Sequence, residues 1–352
     1  MSEQTPIRVG IVGIGRAGWG MHSRTLEGKQ DLFTVAAACD PCEDRAAMMA
    51  EKWHCNTYSD VRDLIADPTV ELVDIASRSP QHVPHALEAL QAGKSVFLEK
   101  PIALTYDEAK RLVPAAEQSA GTLFIRHNRR FEPAFQHIRE IIASGRLGEV
   151  YEIKLRRNGY QRRDDWQTII DCGGGQLLNW GPHIIDHALR FLESPVAELW
   201  SDLKLIAAVG DAEDHLKIIM KGENGRLIDL EISGGAAVKE PEYIIFGTRG
   251  ALTCEGSTIQ LKFLDPEQVL EDIEAKRENP PIQGPFGRKE ELKWIEETVP
   301  VAPRTSCQTE DIWDHLYAAL REGEPYPITL DEALQVMEVI SKVKAGTRFE
   351  YR

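Results

Sequence analysis

The feature that most constrains this chain is an apolar, β-branched run that climbs directly into three glycines. Ile7-Arg8-Val9-Gly10-Ile11-Val12 is followed by Gly13-x-Gly15-x-x-Gly18. Such a run reads as a strand buried on both faces, which a parallel sheet covered by helices provides. Gly13 permits the tight turn, Gly15 lets backbone approach a pyrophosphate, and Gly18 lets the following helix pack closely on the strand. The start of that helix offers unpaired N–H groups and positive dipole to an anion. A second apolar run, Phe33–Cys39, ends at Asp40. An acid about 20 residues beyond the glycines, at a second strand end, suits the hydroxyls of a ribose. Asp40 also reads as a helix cap, because Pro41 and the acidic Glu43 and Asp44 follow it.

The pattern continues as strands alternating with helices. Helices are expected over 43–53, 61–65, 82–92 and 107–119, the last capped by Thr105. Strands are expected over 72–76, 95–98 and 123–125. This alternation predicts a doubly wound parallel sheet and a dinucleotide-binding Rossmann domain over residues 1–127. A different regime follows. After a helix over 133–144, strand-like runs succeed one another at 149–155, 196–206, 215–220, 226–232, 243–246, 251–254 and 259–264. One long helix, around 175–192, interrupts them. Consecutive strands predict a large, mostly antiparallel open sheet in an α+β domain over 128–352. Residues 275–306, polar and rich in Pro and Gly, read as a long surface loop, and two helices (310–322 and 331–344) close the chain.

Composition removes several function classes. With 41 basic and 56 acidic residues, the net charge is −15, which argues against a nucleic-acid partner. The pairs Arg129-Arg130 and Arg162-Arg163 are too short for a basic stripe. No apolar run approaches a membrane span, and Met-Ser-Glu-Gln-Thr-Pro lacks signal-peptide character, so the expectation is a cytoplasmic protein. Cysteines 39, 42, 55, 172, 254 and 307 are scattered, as reduced thiols would be. Cys39-x-x-Cys42 has no second pair to complete a metal site.

Two stretches can carry chemistry. Lys100 follows a strand on the same sheet edge as the glycine turn, and Pro101 holds its backbone extended. A lysine there can stabilise an alkoxide, or simply pair with Glu99 on the surface. The second stretch is Gly173-Gly-Gly175-Gln-Leu-Leu-Asn179-Trp-Gly-Pro182-His183-Ile-Ile-Asp186-His187. On a helix, Asn179, His183 and His187 share a face, with Asp186 beside them. Pro182 implies a kink or a helix start nearby. Histidine suits proton transfer to and from an alcohol. Metal binding by the pair His183 and His187, with Asp186 beside them, has no third ligand evident at a fixed spacing, and a core histidine is the bland alternative.

With these residues in view, the chain resembles the Gfo/Idh/MocA family of oxidoreductases over nearly its whole length. The resemblance rests on Gly13-x-Gly15-x-x-Gly18, His82 ahead of Gly93, Glu99-Lys100-Pro101, Asn128-Arg-Arg-Phe131, Ser144-Gly-x-Leu-Gly148 and Gly173-Gly-Gly175…His183-x-x-Asp186. It implies NAD, with NADP less favoured, held by Gly13, Ile14, Gly15, Arg16, Ala17, Asp40, Ser77, Ser79, His82, Glu99, Lys100 and Asn128. It implies a carbohydrate or polyol substrate near Asn179, Asp186, His187, Tyr160, Trp166 and Arg163. Lys100 and His183 would be catalytic, His183 as acid/base, and the Lys100–Pro101 bond would be cis. No metal is implied. A homodimer or homotetramer through an exposed apolar face of the second sheet is also expected. The chain departs from inositol dehydrogenase-like members in carrying Asn179 where they have Asp, and an amide cannot hold a proton. With His183 at an ordinary histidine pKa, oxidation should rise with pH near that value. Two other readings fit the same residues: an NAD-recycling epimerase or glycosidase, and a non-enzymatic sensor of cofactor or sugar.

Overall fold

A computed structural model describes residues 5–275, 277, 283 and 290–351. The first sheet has six strands in the order β3-β2-β1-β4-β5-β6, all parallel. These are β1 (Ile7–Val12), β2 (Phe33–Cys39), β3 (Asn56–Tyr58), β4 (Leu72–Ile75), β5 (Ser95–Leu98) and β6 (Leu123–Ile125). The apolar runs fill its interior: Val9, Ile11, Phe33, Leu72, Ile75 and Phe97 are fully buried. Strand β3 escaped the sequence reading because Asn-Thr-Tyr at a sheet edge has no apolar period to detect. The helix expected over 107–119 is two pieces, Tyr106–Lys110 and Leu112–Gln118. Pro114 is the cause: it has no N–H to give the Lys110 carbonyl, and its ring crowds that turn.

The second sheet has eight strands, ordered β14-β13-β12-β11-β7-β10-β9-β8. They are β7 (Val150–Asn158), β8 (Val196–Lys204), β9 (His215–Gly222), β10 (Leu227–Ser233), β11 (Tyr243–Gly247), β12 (Gly250–Glu255), β13 (Thr258–Leu264) and β14 (Trp294–Pro300). All pairs are antiparallel except β7 with β10. Strand β14 lies inside the stretch read as a loop. It alternates but is exposed or half-exposed on both faces, so polarity hid it. Positions 276, 278–282 and 284–289 of that stretch lie outside the described residues, as do residues 1–4 at the N-terminus.

One face of the second sheet is covered by the helix Gly181–Leu192, over Ile153, Leu155, Ile218, Leu230 and Ile232. The other face differs from the apolar surface expected. Its centre is a ladder of charges: Arg156 pairs with Asp229 at 2.8 Å and Glu240 at 2.6 Å, and Lys217 pairs with Asp229 at 2.8 Å. Exposed Trp200 and Trp294 stand toward its edges. The chain then returns to the first sheet. Fully buried Trp313, on the helix Ile312–Tyr317, lies edge-on to Phe97 at 4.8 Å and Phe33 at 5.3 Å. The last helix, Leu330–Lys344, starts on the capping box Thr329/Glu332 and is tied to Gly181–Leu192 by Glu332, which takes Arg130 and Arg190. No helix among the described residues is long and apolar enough to cross a membrane.

Candidate active site

The glycine turn is built as a cradle. At Gly13 φ is +91°, and a Cβ would lie 2.6 Å from the Ser77 backbone, so only glycine fits. At Gly15 a Cβ would meet nothing within 4 Å; the backbone there is open to a ligand. Buried Asp40 closes the turn: Oδ2 accepts the Ile14 N–H at 2.8 Å and Oδ1 the Cys42 N–H at 2.9 Å. The second bond is an Asx turn ahead of the helix Glu43–Trp53, so Asp40 serves as a local brace. Each oxygen keeps a lone pair for a hydroxyl. An open glycine, a helix start and a carboxylate at the neighbouring strand end fit a dinucleotide. Exposed Arg16 and half-buried Ala17 stand at the helix entry.

Lys100 sits at a braced corner. Its bond to Pro101 is cis. Its N–H donates to Glu99 Oε2 at 2.8 Å, and its Nζ donates to the Asn179 carbonyl at 3.0 Å. Burial outweighs the Glu99 charge and lowers the Lys100 pKa. Glu99 Oε1 takes Arg126 at 2.6 Å and His22 Nε2 at 3.0 Å. Burial alone would raise Glu99, but the Arg126 charge and the His22 contact hold it well below the usual carboxylate range. His82 faces backbone with both nitrogens, the Pro101 carbonyl at 2.6 Å and the Ser77 carbonyl at 3.0 Å. It straps two loops together rather than offering an edge to a ligand. Ser77 Oγ meets His85 at 3.2 Å; Ser79 and Asn128 are buried at the turns Ser79–Gln81 and Asn128–Phe131.

The glycine-rich stretch folds as Gln176–Asn179, a break at Trp180, then Gly181–Leu192 with Pro182 in its first turn. Gly175, at φ +107°, is required because a Cβ would fall 2.2 Å from a Glu213 carboxylate oxygen. That carboxylate takes the Leu177 N–H at 3.1 Å, satisfying one free donor of the new helix. His183 is 7% exposed, and its buried Nδ1 has no partner among the described residues. Its ring meets Trp180 edge-on at 6.1 Å. Arg129 and Arg157 lie over the same Trp180 ring at 4.4 and 4.0 Å. Burial first, then the charges of Lys100 and Arg129, push the His183 pKa well below the ordinary histidine value. The ring therefore stays neutral well below the pH at which an ordinary histidine would charge.

Asp186 and His187, expected to reach a substrate, are committed inside the protein. Both Asp186 oxygens accept from Arg130 at 2.7 Å. His187 is fully buried. It stacks on Phe135 at 4.0 Å, and its nitrogens meet the Arg129 carbonyl at 2.8 Å and the Tyr243 hydroxyl at 3.3 Å. The break at Trp180 separates only Asn179 from the others; His183, Asp186 and His187 share the helix Gly181–Leu192, and their different partners, not a change of face, set them apart. In the loop after β7, Arg163 is held by Asp165 at 2.7 Å and Gln167 at 2.6 Å. Trp166 sits 5.6 Å from the Arg78 guanidinium of the first domain, bridging the two halves, while Tyr160 is 62% exposed. A small void of about 20 Å³ beside Asn179 is lined by Gln161, Arg163, Gln167 and Gln176.

Sequence reasoning missed His22, Arg126, His127 and Trp180. His127 is buried with Nδ1 unpartnered, and burial drives its pKa down to about 4. These residues sit within recognised motifs or next to them, yet no spacing rule marks a residue whose partner lies on a distant strand.

Comparison with known proteins agrees with this architecture. Residues 7–127 match the model of the oxidoreductase family with an NAD-binding Rossmann fold, and residues 135–253 match the GFO/IDH/MocA C-terminal domain. The uncharacterized oxidoreductase YdgJ of Escherichia coli (strain K12) is 29% identical over 95% of this chain and 94% of its own. The scyllo-inositol 2-dehydrogenase (NADP(+)) IolW of Bacillus subtilis (strain 168) is 25% identical over 97% and 94%. In fold, the oxidoreductase yvaA from Bacillus subtilis superposes with a TM-score of 0.80 at 20% identity, covering 97% of this chain and 96% of that one. With a family model matched in each of its two domains, and with relatives covered along nearly their whole length, the chain belongs to the Gfo/Idh/MocA family of oxidoreductases.

Proposed function

We propose that this protein is an NAD-dependent dehydrogenase or reductase acting on a CH–OH group of a sugar, polyol or sugar derivative. The observation that carries the reading is the convergence on Asn179. Lys100 Nζ donates to its carbonyl at 3.0 Å, and one helical turn later stands His183, uncharged and with a free Nδ1. Nicotinamide, when bound, supplies the hydride chemistry. The protein's own part is proton handling and orientation. Neutral His183 takes the hydroxyl proton during oxidation and returns it during reduction. The Lys100 ammonium donates to the same oxygen and favours its alkoxide form. The Asn179 amide donates and accepts without changing charge, as a neutral hydroxyl requires. Asp40 favours NAD, because a 2′-phosphate would crowd its carboxylate, while Arg45 at 3.8 Å softens that preference. Assembly through the uncovered face of the second sheet would require a partner that matches its charge ladder; light scattering at micromolar concentration tests it.

The test is a sugar and polyol library screened by thermal shift and by NADH absorbance, with NADP in parallel. Turnover of a polyhydroxy compound that disappears in His183→Ala supports the reading. Tight NAD binding with no turnover across the library would overturn it.

A further inference from the structure

Beneath the Lys100 corner lies a set of charges that the chemistry above does not use. His22, on the turn that follows the glycine loop, is fully buried. Its Nδ1 is 2.7 Å from Asp74 Oδ2 on β4, and its Nε2 is 3.0 Å from Glu99 Oε1 at the end of β5. Arg126, just past β6, donates to the same Glu99 oxygen at 2.6 Å. The uncharged rings of Trp313, from the C-terminal helix at 5.8 Å, and Phe97 at 6.5 Å also pack against it. The other Glu99 oxygen receives the Lys100 N–H at 2.8 Å.

Hydrogen-bond arithmetic restricts the protonation. Glu99 already accepts from a guanidinium and an amide, so it is ionised and can only accept. Nε2 of His22 must therefore carry a proton. Nδ1 faces a second carboxylate. Against an ionised Asp74, whose other oxygen has no partner among the described residues, a neutral ring would turn a lone pair on the carboxylate, a repulsion costly in a dry interior. A protonated Asp74 donating to a neutral ring is the alternative that a measurement of the ring protons separates.

We propose that His22 is a buried imidazolium that clamps Asp74 to Glu99 and so acts as a positioning residue for Lys100. The role rests on the reading that Lys100 meets the reacting oxygen. With its charge, His22 and Arg126 balance the two carboxylates, and Glu99 stays fixed under the Lys100 backbone. Without it, one buried carboxylate is uncompensated and the lysine loses its fixed anchor. Burial by itself lowers the His22 pKa, but the Asp74 charge and both carboxylate contacts outweigh it and the opposing Arg126, giving a net rise.

Two measurements on the full chain test this. In ¹⁵N-histidine-labelled protein, one ring should show both nitrogens protonated from about pH 6 to 8, and that signature should vanish in Asp74→Asn, where the new amide can donate to a neutral ring. In kinetics on any polyol the parent turns over, His22→Gln should lower kcat by roughly 10- to 100-fold, as a misplacement of about an ångström does, with NADH affinity nearly unchanged. Adding Asp74→Asn to His22→Gln restores the charge balance and should recover most of that loss. A ring without the Nδ1 proton in this pH range overturns the clamp, whether or not a substrate is known. Equal kcat in the single and double variants overturns the positioning role. Should His22→Gln not fold, the labelled Asp74→Asn variant still decides the matter. Absence of turnover by the parent sinks the dehydrogenase reading instead and leaves the ring-proton result standing.

Discussion

Two buried histidines are driven in opposite directions. His22, under the first sheet's edge, faces two carboxylates, and its pKa is raised. His183, on the helix of the second domain, has cations nearby and no carboxylate bonded to it, and its pKa falls well below the ordinary value. Burial lowers both, so the partners decide the sign. The first region spends its charges on rigidity: Asp74, Glu99 and Arg126 are locked to one another through His22. The second leaves the buried His183 Nδ1 without a partner among the described residues.

The largest effect should come from removing the His183 ring. His183→Ala should lower kcat by roughly 10² to 10⁴ while NAD affinity stays nearly intact; stopped-flow kinetics with a parallel melting curve checks it. Parent-like turnover on a confirmed substrate would move the base elsewhere, with exposed Tyr160 the next candidate.

Breaking a locked pair in the same region should cost stability instead. Asp186→Asn leaves the buried Arg130 with Glu332 alone, and loss of such a pair costs about 3–5 kcal/mol. Chemical denaturation measures it, and a change below about 1 kcal/mol would show that Glu332 suffices.

Cofactor choice should shift less. Replacing Asp40 with Ser removes a charge worth roughly 1–4 kcal/mol against a 2′-phosphate, so the NAD/NADP affinity ratio should fall by about fivefold or more. Isothermal titration with both cofactors reads it; an unchanged ratio would mean that Asp40 is only the brace of the glycine turn.

The pH dependence sharpens the comparison itself. Because His183 is depressed, oxidation should already be near its plateau at neutral pH, and its acid limb should lie below the usual histidine range. This corrects the rise near an ordinary histidine pKa expected from sequence. The alkaline fall should come earlier than an ordinary lysine would give, because Lys100 is also lowered. In stability the two histidines act oppositely. His22 binds its proton more tightly folded than unfolded, so its contribution is full below about pH 6.5 and is lost as pH rises through its raised folded pKa. His183 resists protonation when folded, so stability falls as pH drops below about 6.5. Melting curves of His22→Gln and His183→Ala against pH should lose opposite limbs of the parent profile. Loss of the same limb in both would contradict the assignment.

Asn179→Asp should have the mildest effect, a few-fold change in kcat, since it adds a proton-holding group without moving His183.

The sequence by itself determined much of this protein. Apolar runs of period two or of unbroken character announced β1, β2, β4 and β5 almost to the residue, because a strand buried on both faces leaves no room for polar side chains. The glycine cradle was equally legible, since Gly13-x-Gly15-x-x-Gly18 directly follows an apolar run. So was the placement of Lys100 and His183 in candidate motifs. The polar edge strands β3 and β14 were not legible, because an edge needs only one neighbour and no buried face.

Tertiary structure alone decided what the charged residues do. Asp186 and His187 stand in the motif beside His183, yet one is clasped by Arg130 and the other stacked on Phe135. The second sheet's free face is charged, though its strands alternate as an apolar face would. His22 carries no motif at all, and its partners Asp74 and Glu99 come from separate strands. Hydrophobic burial is a property of each residue's own side chain and repeats with the local period, so a sequence records it. An ionisation state belongs to a pair or a network brought together across the chain, and only the fold brings it into being.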